Sequence, residues 1–444
     1  MNPTLQEILD AREKRAEKQK ILLAKFQKPL VCFTMNIPGP EKWNRDVSVA
    51  FFVGCRLLEQ AIGTQALLHQ ETNISPCGGE GYFVADMPAD QLKSLCVQLE
   101  EDSLAGRLFD MDVLDTDSRK IQREALGFPK RKCLLCDNDA VICASRRAHP
   151  LEELTERTNF LLFVAAQELF CEYIGVQAYL ALHREVQATP KPGLVDRRNQ
   201  GAHKDMDLRH FFISANTLRP FFVDFARKGF LTRDDAPTEA FSQLRPLGIE
   251  AEKAMLKATG GVNTHKGAIF SLGLMCAAAG RLPPDKWQVE SLLSQCAAMA
   301  AGIVKGDMAG KSAETATTFG EKLYFTHGLT GVRGQAEQGF PAVFHVGLPV
   351  LRQALTEGLS ENDALCVTLL HLIAATDDTN LIHRGGRELQ LAVKEKLSDF
   401  LKANPFPTME EIARIDDKFI QKNLSPGGSA DLLALTWLLH TLTK

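Results

Sequence analysis

"LTERTNFLLFVAAQELFCEYIGVQAYLALHREV", residues 154–186, is where the chain changes texture. Its apolar residues recur at helical spacing over more than one ordinary helix length. Upstream, helix-like and strand-like signals alternate. Downstream, long apolar-periodic segments follow one another and strand signals are scarce. The stretch 151–186 is therefore expected to close one domain and open the next. A length of 444 residues agrees with more than one core. The expected division is an α+β domain over residues 1–165 and an all-α domain over residues 166–444.

Upstream, "LQEILDAREKRAEKQKILLAKF" has mixed charges and a weak apolar face, which predicts a surface helix. "PLVCFTMNIPGP" is rich in β-branched and aromatic residues and stops at Pro and Gly, which predicts a strand and a turn. "DVSVAFFVGCRLLEQAIG" reads as a helix with a glycine-marked end. "EGYFVADMP" and "GRLFDMDVLD" read as strands, with a helix, "ADQLKSLCVQLEED", between them. Downstream, "HFFISANTLRPFFVDFARKGF", "AIFSLGLMCAAAG", "ENDALCVTLLHLIAAT" and "ADLLALTWLLHTL" all favour helix. The chemistry is then expected in the polar breaks between helices.

Composition sets the outer limits. The chain is 45% hydrophobic and 24% charged, with a net charge of -4. That balance gives no reason to expect nucleic-acid or membrane binding. No uninterrupted apolar run is long enough to span a bilayer, and the charged start is unlike a signal peptide. Eleven scattered cysteines, an odd count, fit a reducing cytoplasm better than a disulfide framework.

Several polar motifs remain, each with a plain structural reading beside the chemical one. On a strand, Asp110 and Asp112 point the same way. Two such carboxylates repel unless a cation lies between them, and Mg²⁺ on nucleotide phosphates is the usual occupant; a solvated edge strand is the alternative. Cys133, Cys136, Cys143 and His149 make up a Cys3His zinc set, which would be structural because four protein ligands leave no open position. Free cysteines are often simply core, and Val141-Ile142-Cys143 reads as a short strand, so the buried reading is preferred over zinc.

"KPGLVDRRNQGAHKDMD", residues 191–207, carries Lys191, Asp196, Arg197, Arg198, His203, Asp205 and Asp207 with almost nothing apolar. If its end is extended, His203, Asp205 and Asp207 share a face; Asp207 alone also suits a helix N-cap. In "ATGGVNTHKGAIFSLGL", Asn263 or Thr264 can cap a helix that begins near His265. Lys266 in the first turn opposes the helix dipole, which favours a bound anion. "ATDDTNLIHRGG" gives Asp377 and Asp378, then Asn380, His383 and Arg384, after an apolar helix; oxygen ligands for Mg²⁺ are one reading and a capping Asp or Thr the other. "SPGGSADLLALTWLLH" reads as a helix start with Ser429 as N-cap, whose free N–H groups could also meet a phosphate. Four such junctions together suggest a nucleoside triphosphate and Mg²⁺ among helix ends.

These motifs carry a resemblance. "KPGLVDRRNQGAHKDMD", "TGGVNTHKGAIFSLGL", "DDTN" and "SPGGSADLLA" resemble the motif set of the triphosphoribosyl-dephospho-coenzyme A synthases. "PLVCFTMNIPGP", "GRLFDMDVLD" and "RKCLLCDNDAVICASRRAH" resemble the apo-citrate lyase phosphoribosyl-dephospho-CoA transferases. The two cover nearly the whole chain, in the reverse of that order. The resemblance implies a bifunctional protein that makes and attaches the citrate lyase prosthetic group. The helical domain would join ATP to 3′-dephospho-CoA with release of adenine. The first domain, nucleotidyltransferase-like, would pass the phosphoribosyl-dephospho-CoA group to a serine of the citrate lyase acyl carrier protein, releasing pyrophosphate.

Under that resemblance the residues take roles. His203, Asp205 and Asp207 are candidates for the base and metal ligands. Lys266 is a candidate for the triphosphate, with Lys191, Asp196, Arg197, Asn263, His265, Asn380, Arg384 and Ser429 as further substrate contacts. Asp377 and Asp378 would share Mg²⁺. In the transferase, Asp110 and Asp112 would hold Mg²⁺, and Arg107, earlier on the same strand, would balance the leaving pyrophosphate. Two other readings compete: a helical scaffold that binds the carrier protein without catalysis, and a plain Mg²⁺-dependent phosphotransferase.

Overall fold

The structure, a computed structural model, describes residues 3–444; the first two residues of the charged start lie outside the described residues. The chain forms two compact units. One runs to Phe170 and includes Pro283–Asp285; the other holds Cys171–Leu282 and Lys286–Lys444.

The first unit contains α1 (Leu5–Phe26), β1 (Leu30–Met35), α2 (Arg45–Ile62), β2 (Leu67–Ser75), β3 (Gly78–Ala85), α3 (Ala89–Glu101), β4 (Phe109–Leu114), α4 (Ala140–Arg146) and α5 (Leu151–Val164). The strands form one antiparallel sheet in the order β2-β3-β1-β4. Alternation along the strands sorts the two faces. Val31, Phe33, Phe83, Phe109, Met111 and Val113 enter the main core with residues of α2, α3 and α5. Leu30, Cys32, Tyr82 and Val84 face the other way and are covered by Leu22 and Leu23 of α1.

Three expectations need correction here. β2 was not foreseen; "LLHQETNIS" is a mostly polar edge strand without a clean alternation. "GRLFDMDVLD" is strand only from Phe109, because Ala105–Leu108 is a 3-10 turn, so Arg107 does not stand on the strand. Val141-Ile142-Cys143 is helix, not strand. Asp139 caps α4 through a 2.9 Å bond to the Val141 N–H, and the cap outweighs the β-branched pair.

The second unit contains α6 (Cys171–Gln187), α7 (Leu208–Leu231), α8 (Pro237–Ala258), α9 (Lys266–Arg281), α10 (Val289–Met299), α11 (Ile303–Met308), α12 (Phe319–His327), α13 (Gly331–Glu337), α14 (Leu348–Thr356), α15 (Glu361–Ala375), α16 (Thr379–Ala403), α17 (Met409–Gln421) and α18 (Gly427–Leu442). No strand occurs in it among the described residues. Its centre is α9, where every residue from Ala268 to Arg281 except Phe270 is buried. A helix apolar on all sides must be surrounded, and α6, α7, α8, α10 and α18 do so. α15 and α18 are buried on nearly all sides too. By mean hydropathy rather than by unbroken run, one helical stretch among the described residues, Leu151–Gln187 (α5 and α6 joined through a π-helical turn at Ala165–Phe170), is long and apolar enough to cross a membrane, although 44% of its most apolar window is buried in the protein.

Candidate active site

In the second unit a cavity of about 910 Å³ opens among the starts of α9, α16 and α18 and the loop between α6 and α7. That size suits a nucleotide-scale ligand. Its walls include Lys191, His203, Asp205, Asn263, His265, Lys266, Asp377, Asp378, Asn380 and Arg384. It also takes in Glu185 and Asp431, which had no role in the sequence reading.

The loop from Ala188 to Asp207 is shaped by two buried carboxylates. Asp196 accepts from the Thr189 hydroxyl (2.9 Å) and from the N–H groups of Lys191 (2.8 Å), Arg198 (2.7 Å) and Asn199 (3.0 Å). Asp416 of α17 accepts from Gly193 N (2.9 Å), Arg198 Nη1 (2.6 Å) and Asn199 Nδ2 (2.8 Å). Gly193 has φ +69°, and a Cβ there would meet the Leu424 carbonyl oxygen at 2.0 Å, so only glycine fits. Asp196 and Arg197 are therefore loop holders: Asp196 ties the turn, Arg197 bonds Asn362 at 3.1 Å, and neither lines the cavity.

Further along the loop, Asp207 is the N-cap of α7. Its carboxylate takes the His210 N–H at 3.1 Å and contacts His210 Nδ1 at 2.7 Å. It lies off the cavity wall, which corrects its proposed place beside His203 and Asp205. Asp205 does line the wall, with its carboxylate 3.8 Å from His203 Nδ1 and largely exposed. Both nitrogens of His203 are engaged. Nδ1 accepts from Arg384 at 3.1 Å, since arginine can only donate, leaving Nε2 to face Ser425 Oγ at 2.8 Å. Burial first, and the Arg384 guanidinium second, push the His203 pKa down.

Deeper in, Lys191 is 1% exposed and donates to Glu185 Oε1 at 2.5 Å. Burial holds the Glu185 carboxyl above its usual range despite that partner. His265 is buried, with Nδ1 2.7 Å from Ser214 Oγ and no hydrogen-bond partner at Nε2. Burial, then the charge of Lys191, depresses its pKa to about 3, so the ring is neutral at physiological pH.

The helix starts foreseen as phosphate sites hold protein carboxylates. Asp378 Oδ1 caps its own helix, α16, through Asn380 N (2.9 Å) and Leu381 N (3.2 Å). Its Oδ2 takes Ser429 N at 2.7 Å and Ser429 Oγ at 2.9 Å. Ser429 is therefore not the N-cap of α18; a carboxylate from another helix does that work. Asp431 sits on the start of α9, bonded to the Ala268 N–H. A Cβ at Gly267 would fall 2.0 Å from Asp431 Oδ2, which explains the glycine of "THKG". Burial, then repulsion from Glu185 and Asp378, holds the Asp431 carboxyl well above its ordinary value.

The neighbouring acids part company. Asp377 is paired with Arg387 (3.0 Å) and Lys394 (2.8 Å), which lower its pKa although burial works the other way. Asp377 and Asp378 thus do not present one shared ligand pair. Lys266 pairs with Glu252 at 2.5 Å, so the cation in the first turn of α9 already has an anion, and Asn263 Oδ1 accepts its N–H at 3.2 Å.

The first unit presents its own polar site on edge strand β4. Asp112 stands beside Cys32 and Asp110 beside Thr34 on the face that α1 covers in part. Lys120 pairs with Asp112 at 2.6 Å, and Arg131 Nη1 is 4.0 Å from Asp110 Oδ1. Desolvation, then repulsion from Asp112, raises the Asp110 pKa, with Arg131 opposing. Arg131 also donates to the carbonyls of Arg107 and Phe109, each at 2.6 Å. Arg107 in turn donates to the carbonyls of Lys132 (2.9 Å) and Cys133 (2.8 Å).

Comparison with known proteins matches each unit to its own family. Residues 3–162 match the apo-citrate lyase phosphoribosyl-dephospho-CoA transferases, and residues 171–444 match the ATP:dephospho-CoA triphosphoribosyl transferases. The chain is 37% identical to the Protein CitXG of Haemophilus influenzae, over 98% of this chain and 95% of that one. It is 33% identical to the Protein CitXG of Leuconostoc mesenteroides, over 99% and 97%. Its helical part is 46% identical to a 2-(5''-triphosphoribosyl)-3'-dephosphocoenzyme-A synthase of Pectobacterium atrosepticum, over 59% of this chain and 86% of the relative. With both matches on one chain, and relatives that share the full length, this protein belongs to the fused family that joins the citrate lyase phosphoribosyl-dephospho-CoA transferase to the triphosphoribosyl-dephospho-CoA synthase.

Proposed function

We propose that the chain makes 2′-(5″-triphosphoribosyl)-3′-dephospho-CoA in the helical cavity and transfers its phosphoribosyl-dephospho-CoA part to the citrate lyase acyl carrier protein at the β4 site. We assign the synthase to residues 166–444 and the transferase to residues 1–165, and place both in the cytoplasm. The supporting observation is the cavity itself, which sets buried carboxylates and a buried unpartnered imidazole nitrogen around a space of nucleotide scale.

In the synthase, the 2′-hydroxyl of dephospho-CoA attacks C1 of the ATP ribose. The new C–O bond forms as the bond to adenine breaks, the hydroxyl proton passes to a base, and the departing adenine takes up a proton from solvent. An α-linked product from a β-glycoside requires one inverting displacement around an oxocarbenium-like centre. We place the base on Asp205, the cavity carboxylate that neither caps a helix nor pairs with a lysine or arginine. His203, held by Arg384 and Ser425, stands beside it with Nδ1 3.8 Å from its carboxylate, and His265 Nε2 bonds substrate. Lys266 and Asn380 face the triphosphate. Glu185 and Asp431, whose charges repel one another, would hold Mg²⁺, while Asp378 beside them keeps its oxygens on its four donors. The ion would offset triphosphate charge there.

In the transferase, the carrier serine hydroxyl attacks the innermost phosphorus and pyrophosphate leaves, a nucleotidyltransferase-like step. Asp110 and Asp112, on one strand face, fit a second Mg²⁺. Arg131 and Lys120 lie where they can balance the leaving charge. Adenine release from ATP that requires dephospho-CoA tests this reading; formation of ADP or AMP would favour a phosphotransferase instead.

A further inference from the structure

Outside both sites, three cysteines and a histidine of the first unit converge. The sulfurs of Cys133, Cys136 and Cys143 and a ring nitrogen of His149 all lie within 4.8 Å of one another. Cys136 Sγ is 3.6 Å from Cys143 Sγ and 3.3 Å from His149 Nε2. A tetrahedral zinc with sulfur at about 2.3 Å and nitrogen at about 2.0–2.1 Å needs ligand-to-ligand edges of roughly 3.5–3.8 Å. The two pairs therefore need to move by only a few tenths of an ångström to hold the ion.

The local backbone is built to bring these atoms together. Cys133 and Cys136 sit in a tight turn closed by Cys133 N to Asn138 O (2.8 Å) and Ala140 N to Arg131 O (2.9 Å). The N–H groups of Leu135 and Cys136 donate to the Cys133 sulfur. α4 then delivers Cys143 from its interior. The chain reverses at Arg147, which takes the left-handed conformation at φ 48°, and Ala148 N bonds Cys143 O at 3.0 Å. A non-glycine residue rarely adopts that conformation without a reason. Here the reversal brings His149 back to the cysteines.

The other buried cysteines behave differently. Cys55, Cys96, Cys276 and Cys296 are buried in apolar core, as small hydrophobes should be. Val141–Cys143 is helix, so no strand there buries Cys143 as core.

We propose that Cys133, Cys136, Cys143 and His149 bind one structural zinc ion, which fixes the turn that Arg107 grips. The ion closes a four-ligand site with no open position, so it takes no substrate. Through Arg107 and Arg131 it would keep the cationic side of the β4 site in register; this last link rests on the transferase reading above.

The test is metal analysis of the full chain, purified without added metal and then reconstituted with zinc under reducing conditions. About one zinc per chain is expected. Cobalt substitution should give sulfur-to-cobalt charge-transfer absorption and the visible bands of a tetrahedral ion. Cys136→Ser and Cys143→Ser should lose the metal, while Cys77→Ser, outside the cluster, should keep it. Should those variants fail to fold, a mercurial that blocks thiols should release one zinc from the unaltered protein. No zinc after reconstitution, or a full equivalent in the folded Cys136→Ser, Cys143→Ser double variant, would overturn the proposal. Zinc bound as expected, with transfer untouched by Asp110→Asn, would leave the metal site standing and sink the β4 assignment instead.

Discussion

Asp378 Oδ2 accepts both the backbone N–H and the hydroxyl of Ser429, at 2.7 and 2.9 Å, so one buried carboxylate ties the start of α16 to the start of α18. Four donors depend on that side chain, counting Asn380 N and Leu381 N. Asp378→Ala should cost about 2–4 kcal/mol of stability, because it leaves buried donors unpaired, and Ser429→Ala about 1 kcal/mol. Urea unfolding would measure both. Equal, negligible losses would mean the two helix starts are held by something else.

Asp207 and Asp205 make a paired test, two residues apart. Asp207→Ala removes only a cap, so stability should fall by about 1 kcal/mol with adenine release nearly unchanged. Asp205→Asn should keep the fold and lower adenine release about 100-fold or more. The reverse order would move the base to Asp207.

Asp431 gives a sharper separation of fold from function. Its carboxyl is held well above its ordinary value by burial and by Glu185 and Asp378. Asp431→Asn keeps the shape and removes a repelled charge, so metal-free stability at neutral pH should hold or rise. Adenine release should fall if Asp431 holds Mg²⁺ as proposed. A stability loss matched by unchanged turnover would make Asp431 a purely structural cap.

The cavity histidine sets an acid limit. Burial depresses the His265 pKa from an ordinary 6.5 to about 3. A depressed group contributes stability above its unfolded pKa and loses it as pH falls toward the folded one. Stability should therefore decline from pH 6.5 downward, by about 2 kcal/mol at pH 5 from this residue alone. His265→Gln should flatten that part of the profile in denaturant titrations; a slope identical to the parent would count against the buried neutral ring.

Much of the fold was legible. The helical cores of α9, α15 and α18 follow from continuous apolar periodicity, and β1 and β3 from β-branched and aromatic runs closed by turns. β2 escaped because a polar edge strand carries little pattern, and α4 because three apolar residues outweighed a capping Asp139 in the reading. The site was legible as a set of junctions, but not in its wiring. Asp378 and Ser429 are fifty-one residues apart, and no local rule joins them. Glu185 and Asp431 did leave a signal. Each is a carboxylate inside an apolar helical run with no cation three or four residues away, a pattern that costs too much to bury without a partner or a purpose.

The central claim is that one chain performs both steps at separate sites, and product analysis tests it directly. The full chain would be given ATP, dephospho-CoA, Mg²⁺ and the apo carrier protein, with adenine followed by chromatography and carrier mass by spectrometry. The unaltered protein should release adenine and add one phosphoribosyl-dephospho-CoA to the carrier. Asp110→Asn and Asp112→Asn should release adenine at the parent rate while the carrier stays unmodified. Loss of adenine release in a folded Asp110→Asn or Asp112→Asn protein, or carrier modification at the parent rate in both, would contradict the account.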